Sequence, residues 1–144
     1  MLERFIKFSY LVGSIHKSVQ KILSDEMAKY GLKGAHAQYL VAIYRAEEDM
    51  TAVKLHEICD NDKAAISRAI SDMIEKGLIV KNGDSPYRVR LSLTEEGKNA
   101  AEFVCERAQT AVELTGITDE DREIFYSSLE KLEKNLKEIS RKGM

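Results

Sequence analysis

A stripe of apolar residues begins the chain and recurs near its end. The first stripe steps by three and four along Phe5, Phe8, Val12, Ile15, Val19 and Ile22, and the second along Phe125, Leu129, Leu132, Leu136 and Ile139. This spacing places each set on one face of an α-helix. There is one proline in 144 residues, and proline interrupts helices. The sequence therefore predicts long, unbroken helices at both ends.

The composition is that of a folded globular protein. Apolar residues make up 44% and charged residues 32% of the chain, so a core can form. The apolar stretch 8–15 is too short to span a membrane and is followed by His16 and Lys17 rather than by small residues. Two cysteines do not make a disulfide scaffold. We expect a cytoplasmic protein without a membrane segment.

Local signals divide the middle of the chain into helices and one hairpin. Helices are predicted over residues 35–47, 51–59 and 63–76, the last capped by Asp62 and ended by Gly77. Residues 78–80 and 87–93 are β-prone and flank a turn cluster that contains the proline. A fifth helix is predicted over 94–114 and a sixth after Thr118.

This order is that of a winged helix-turn-helix, so the predicted fold class is mainly α (α+β). Residues 35–94 would form the DNA-binding module. Residues 1–34 and 95–144 would form a helical dimerisation region, because their stripes are too long for a core of this size to cover. An intramolecular bundle is the alternative.

The fourth helix is the candidate recognition helix. Apolar residues, Ile66, Ala69, Ile70, Met73 and Ile74, share one side. The predicted DNA-contacting residues are small, hydroxyl-bearing or basic: Lys63, Ala64, Ala65, Ser67, Arg68 and Ser71. Such side chains let the helix approach base edges, and arginine pairs with guanine. The alternative is an ordinary amphipathic helix with a solvated face.

The hairpin adds three basic candidates, Lys81, Arg88 and Arg90, for contact with the DNA backbone or minor groove. A solvated strand is the alternative. The net charge is −2, so the chain as a whole lacks the basic charge typical of nucleic-acid-binding proteins. Binding to DNA would therefore depend on local arrangement.

The segment from Leu32 to Gly97 resembles the MarR family of bacterial transcriptional regulators. The matching runs are 55–57 (LHE), 62–68 (DKAAISR), 73–79 (MIEKGLI) and 93–97 (LTEEG). The resemblance implies a homodimer that binds double-stranded pseudo-palindromic DNA, usually as a repressor, and a small, often aromatic effector bound between the dimerisation helices and the DNA-binding lobe. The wing is shorter than is common in the family, and His56 and Asn61 stand where small or apolar residues are common.

Other constellations are weaker. Tyr10, His16, His36 and Tyr39 are candidates for an effector pocket, with core packing or dimer contacts as the alternative. His56 and Cys59 lack the spacing of a metal site, so no metal or cofactor is predicted. Metal or thiol sensing (through Cys59 or Cys105), and a winged helix that binds protein instead of DNA, remain alternatives. No catalytic motif is present, so we do not expect an enzyme.

Overall fold

The computed structural model describes residues 1–59, 61–83 and 89–143. Within them the chain forms six helices and one two-stranded sheet. The elements in chain order are α1 (Leu2–Ala28), α2 (Gly34–Tyr44), α3 (Ala52–Cys59), α4 (Lys63–Glu75), β1 (Ile79–Asn82), β2 (Arg90–Leu93), α5 (Glu95–Leu114) and α6 (Asp119–Lys142). The predicted order is confirmed. The second helix ends at Tyr44, three residues before its predicted end.

Side-chain caps and glycines define the ends of α4. The Asp62 carboxylate accepts a hydrogen bond from the Ala65 backbone N–H at 2.9 Å, which satisfies a donor that the first helical turn leaves free. Gly77 has a φ of 73°, and the Leu78 N–H donates to the Met73 carbonyl at 2.9 Å. This is the left-handed glycine ending expected from the sequence.

The hairpin is antiparallel, with Ile79 opposite Leu93 and Asn82 opposite Arg90. The connection between α2 and α3 adds one more bridge to it, because the Leu91 N–H donates to the Met50 carbonyl at 2.8 Å. The β2 strand is therefore attached to the connection between α2 and α3.

The core lies within residues 1–108, which form one compact unit. Its members come from α1, α2, α3, α4, the hairpin and the first half of α5. The largest fully buried side chains are Met27, Leu40, Leu55, Ile66, Met73, Leu78 and Ile79. The core thus holds α4 by one face and leaves its other face outside.

Two close approaches connect this unit's helices. A Cβ on Gly34 would lie 2.7 Å from the Gln20 carbonyl oxygen, so α2 begins in direct contact with the backbone of α1. At the other end of the module, the Thr94 hydroxyl donates to the Gly77 carbonyl at 2.6 Å and accepts from the Gly97 N–H at 3.0 Å. Thr94 therefore joins the end of α4 to the start of α5.

Residues 109–144 form the second compact unit. The Thr118 hydroxyl caps α6 by accepting from the Asp121 N–H at 3.2 Å, as the sequence predicts. None of the described residues of α6 is buried in the chain. Phe125, Leu136 and Ile139 of the predicted stripe are exposed. Among the residues described in both units, no helix is long and apolar enough to cross a membrane.

Candidate nucleic-acid interface

The α4 helix has one buried and one exposed face. Ile66, Ala69, Ile70 and Met73 are buried, as predicted. Ile74 was expected among them and is 36% exposed, so that expectation is wrong. Each step of four residues turns an α-helix about 40° past a full turn. Ile74 lies two such steps beyond Ile66 and has rotated off the buried face.

The exposed face carries the predicted DNA-contacting side chains. Ala65 is half-buried and the others are exposed: Lys63, Ala64, Ser67, Arg68 and Ser71. The Ser71 hydroxyl donates to the Ser67 carbonyl at 3.1 Å, which turns it toward its own helix. The face therefore offers two positive charges and short side chains.

A polar network secures the turn before α4. The Asn61 amide donates to the Tyr39 hydroxyl at 2.7 Å, and His56 Nδ1 contacts the Asn61 carbonyl. Buried polar groups need such partners, and these two contacts attach the turn to both α2 and α3. The two residues that depart from the family's usual pattern are thus parts of one network, and Tyr39, a predicted pocket residue, is its third member.

A groove of about 710 Å³ lies between α3, α4 and the hairpin. Its polar lining comes from Thr51, His56, Lys63, Ser67 and Lys81, and its apolar lining includes Ile70. The structure therefore brings two predicted recognition-helix residues together with one predicted wing residue. Sequence reasoning missed Thr51 and His56 as neighbours of that set, because no local pattern places α3 beside the hairpin.

The wing arginine Arg90 has a partner that the sequence did not indicate. Its guanidinium lies 2.8 Å from the Asp49 carboxylate, and both side chains are more than half exposed. Asp49 precedes the Met50 bridge to β2, which explains how residues so distant in sequence meet. Arg88 lies outside the described residues, so its part in the wing stays a prediction.

The four candidate effector-pocket residues fall into two pairs. Tyr10 and His16 are exposed on α1, whereas His36 and Tyr39 are buried on α2. The pocket itself stays a prediction.

The chemistry of the two cysteines does not indicate a reactive thiol. Both are free and partly buried. Burial raises the pKa of the Cys59 thiol. Burial also raises the pKa of Cys105, and the nearby Arg45 opposes this shift. Among the described residues, no three of the metal-ligating types His, Cys, Asp and Glu form a group able to hold a metal ion.

The arrangement defines a winged helix-turn-helix protein, and comparisons with known proteins agree. Residues 30–86 match the model of the MarR family. The chain is 28% identical over 129 residues to YybA, an uncharacterised HTH-type transcriptional regulator of Bacillus subtilis, covering 87% of this chain and 85% of that protein.

Solved structures of proteins named as MarR proteins have a similar fold. A MarR protein from Peptoclostridium difficile has a TM-score of 0.78 and 24% identity, covering 90% of this chain and 86% of its own. A MarR-family regulator from Listeria monocytogenes, solved with a 26mer DNA, has a TM-score of 0.74 and 26% identity, covering 87% and 85%.

The winged-helix module of this chain is thus similar to the MarR family. The Bacillus and Listeria relatives are both named as transcriptional regulators.

Proposed function

We propose that this protein is a homodimeric repressor that binds pseudo-palindromic double-stranded DNA through α4 and the hairpin. The observation that carries the proposal is the exposed face of α4, where Lys63, Ser67 and Arg68 stand opposite a fully buried face. A recognition helix held by its apolar side presents such a face to the major groove. The DNA complex of the Listeria relative supports the same use of the fold.

Each part of this interface has its own task in the proposal. Arg68 reads a base edge, preferably guanine, while the small side chain of Ala64 lets the helix approach closely. Lys63 also faces the bases, whereas Lys81, which lines the same groove, contacts the DNA backbone and sets the position of the module on the duplex. Arg88 and Arg90 extend these contacts along the wing.

A second copy of the chain is the proposed partner of the apolar stripes. In the single chain, Phe5, Val12, Ile15 and Val19 of α1 are each more than 40% exposed, as is much of the α6 stripe. A large exposed apolar surface of this kind marks an interaction site. Residues 1–34 and 95–144 would thus form the dimer, and the paired recognition helices would meet major grooves roughly 34 Å apart.

Release by a small effector completes the proposal. Its predicted pocket is Tyr10, His16, His36 and Tyr39. The effector would shift the population between two spacings of the recognition helices by its differential affinity for them. Sensing by metal or thiols is the second version of this regulation.

Gel shifts on the DNA upstream of the protein's own gene test the interface. Arg68→Ala is expected to weaken binding by about 1–3 kcal/mol, whereas Arg141→Ala, the same change at the exposed end of α6, should leave binding unchanged. Equal effects of both changes would refute the role of α4. A protein-binding winged helix would show no DNA binding at all.

Sedimentation tests the dimer. We expect twice the chain mass of 16.3 kDa. Ile15→Glu should produce a monomer, because it buries a charge in the proposed interface. Lys17→Glu, on another side of α1, should leave the dimer intact. A wild-type monomer would overturn the proposed arrangement.

A further inference from the structure

The His36 imidazole connects the first turn of α2 with α4. The side chain is almost fully buried, with 9% of the residue exposed. Its Nδ1 accepts a hydrogen bond from the Lys33 backbone N–H at 3.1 Å, as the third helical residue does in a capping box. Because Nδ1 is the acceptor, a neutral ring carries its proton on Nε2.

That Nε2 faces Asp72 of α4 without a hydrogen bond. The distance from Nε2 to the Asp72 carboxylate is 3.5 Å, beyond the 2.7–3.2 Å typical of an N–H···O bond. Nε2 is buried and has no hydrogen-bond partner among the described residues. A buried donor in this state gains from any movement that brings an acceptor closer.

Protonation of the ring would strengthen this contact. Both ring nitrogens of a protonated histidine are donors, so Nδ1 would lose the Lys33 N–H. The Lys33 carbonyl, 3.3 Å from Nδ1, is in place to accept from it instead. Nε2 would then carry part of a positive charge toward the Asp72 carboxylate, and a charge-assisted bond is shorter and stronger than a neutral one.

The surroundings leave Asp72 as the acidic partner of His36. On the α1 side, Gln20 and Ser24, both uncharged, lie against the start of α2 at Gly34. On the α4 side, the Lys76 ammonium lies over the Gly31 turn. Lys33 at the N-cap of α2 is the other nearby cation.

We propose that His36 is a positioning residue for the recognition helix, acting through Asp72. With a protonated ring, the pair holds α4 against α2 and offsets the negative charge that Asp72 would bring near DNA phosphates. Since imidazoles change charge between about pH 5 and 8, DNA binding becomes tighter as the pH falls through this range. This inference rests on the proposed DNA-binding function and adds a regulation to it.

The last turn of α4 allows a matched experiment, because it carries a second exposed carboxylate, Glu75. Affinity for the DNA upstream of the gene would be measured at about pH 6 and pH 8, at constant ionic strength. The proteins would be the wild type, His36→Gln, Asp72→Asn, their double variant, and Glu75→Gln as the control for Asp72→Asn at another exposed carboxylate of α4. His56→Gln measures any separate contribution from the groove.

We expect the wild type to bind about two- to fivefold more tightly at the lower pH, the size of a partly exposed ion pair. His36→Gln and Asp72→Asn should each remove the same part of this pH dependence, and the double variant should remove no more. Glu75→Gln should retain it. The proposal is overturned if either single change leaves the wild-type pH dependence undiminished, or if the two losses add in the double variant.

A cycle without DNA separates this inference from the proposed function. Urea unfolding of the wild type, His36→Gln, Asp72→Asn and their double variant measures the coupling between the two side chains. We expect a factor of about two to five in the unfolding equilibrium constant at the lower pH, lost as the pH rises and the ring loses its proton. Absence of coupling at both pH values refutes the pair. Coupling without any wild-type DNA binding would refute the proposed function instead.

Discussion

Gly97, in the first turn of α5, lies directly against the backbone of Leu78. A Cβ built on Gly97 would stand 1.9 Å from the Leu78 carbonyl oxygen, a distance that no side chain tolerates. The contact follows from the hydrogen bond that the Thr94 N–H donates to the same oxygen at 3.0 Å. The run 93–97 that resembles the family's strand-to-helix junction therefore needs glycine at this position for steric reasons.

We expect Gly97→Ala to lower the free energy of unfolding by about 1–3 kcal/mol, because the backbone must move to admit the methyl group. Urea unfolding followed by circular dichroism measures the change. Gly13→Ala is the control: nothing lies within 4 Å of its added Cβ. Alanine in that exposed helix should stabilise by about 0.5–1 kcal/mol. An unchanged Gly97→Ala protein would contradict the close approach.

The cap of α4 predicts a second effect. Asp62→Ala removes the acceptor of the Ala65 N–H and should cost about 1 kcal/mol of stability. DNA affinity should fall too, since the first turn of α4 carries Lys63. Asp62→Asn keeps a capping oxygen and should behave like the wild type in urea. Equal losses in both variants would mean that charge, and not the cap, matters here.

The Asp49–Arg90 ion pair predicts a gain in binding. A phosphate must compete with the Asp49 carboxylate for the Arg90 guanidinium, so Asp49→Asn should tighten DNA binding, by up to about fivefold. Glu48→Gln is a matched control, because the neighbouring Glu48 pairs with Lys54 instead. Asp49→Asn should give no gain in DNA affinity when it is combined with Arg90→Ala. If Glu48→Gln increased DNA affinity by the same factor as Asp49→Asn, the gain would come from the change in net charge alone.

The burial of both cysteines predicts that their thiols react slowly with alkylating reagents. Burial raises the pKa of both Cys59 and Cys105, so near neutral pH less of each thiol is thiolate than in an unfolded chain, and the thiolate is the reactive form. Iodoacetamide labelling followed by mass spectrometry should be slower in the folded protein than in guanidinium. Cys59→Ser and Cys105→Ser assign the two rates. Faster labelling in the folded state would revive the thiol-sensing version of the regulator.

Local chemistry made most of the fold predictable. Asp62, Gly77 and Thr118 act within one helical turn of their own positions, and the structure has all three ends where the sequence indicated them. The exposed face of α4 follows from periodicity in the same way. Ile74 was misplaced because the apolar stripe of a straight helix drifts around its axis.

Contacts between distant segments were not predictable. The pairs Asp49–Arg90 and His36–Asp72 depend on how the α2–α3 connection meets the hairpin and how α2 crosses α4. No spacing along one element encodes such crossings. The sequence showed only that Asn61 and His56 depart from the family's usual residues. It did not indicate that the two residues contact each other or that Asn61 bonds to Tyr39.

Thr94 has a mechanical consequence. Its hydroxyl is hydrogen-bonded both to the Gly77 carbonyl, just after α4, and to the Gly97 N–H in the first turn of α5. Neither helix end can therefore shift without straining the other. A displacement that begins in α5 would therefore reach the proposed recognition helix directly at this junction. Conversely, DNA bound to α4 would restrict movement at the start of α5, the helix that leads into the proposed dimer region.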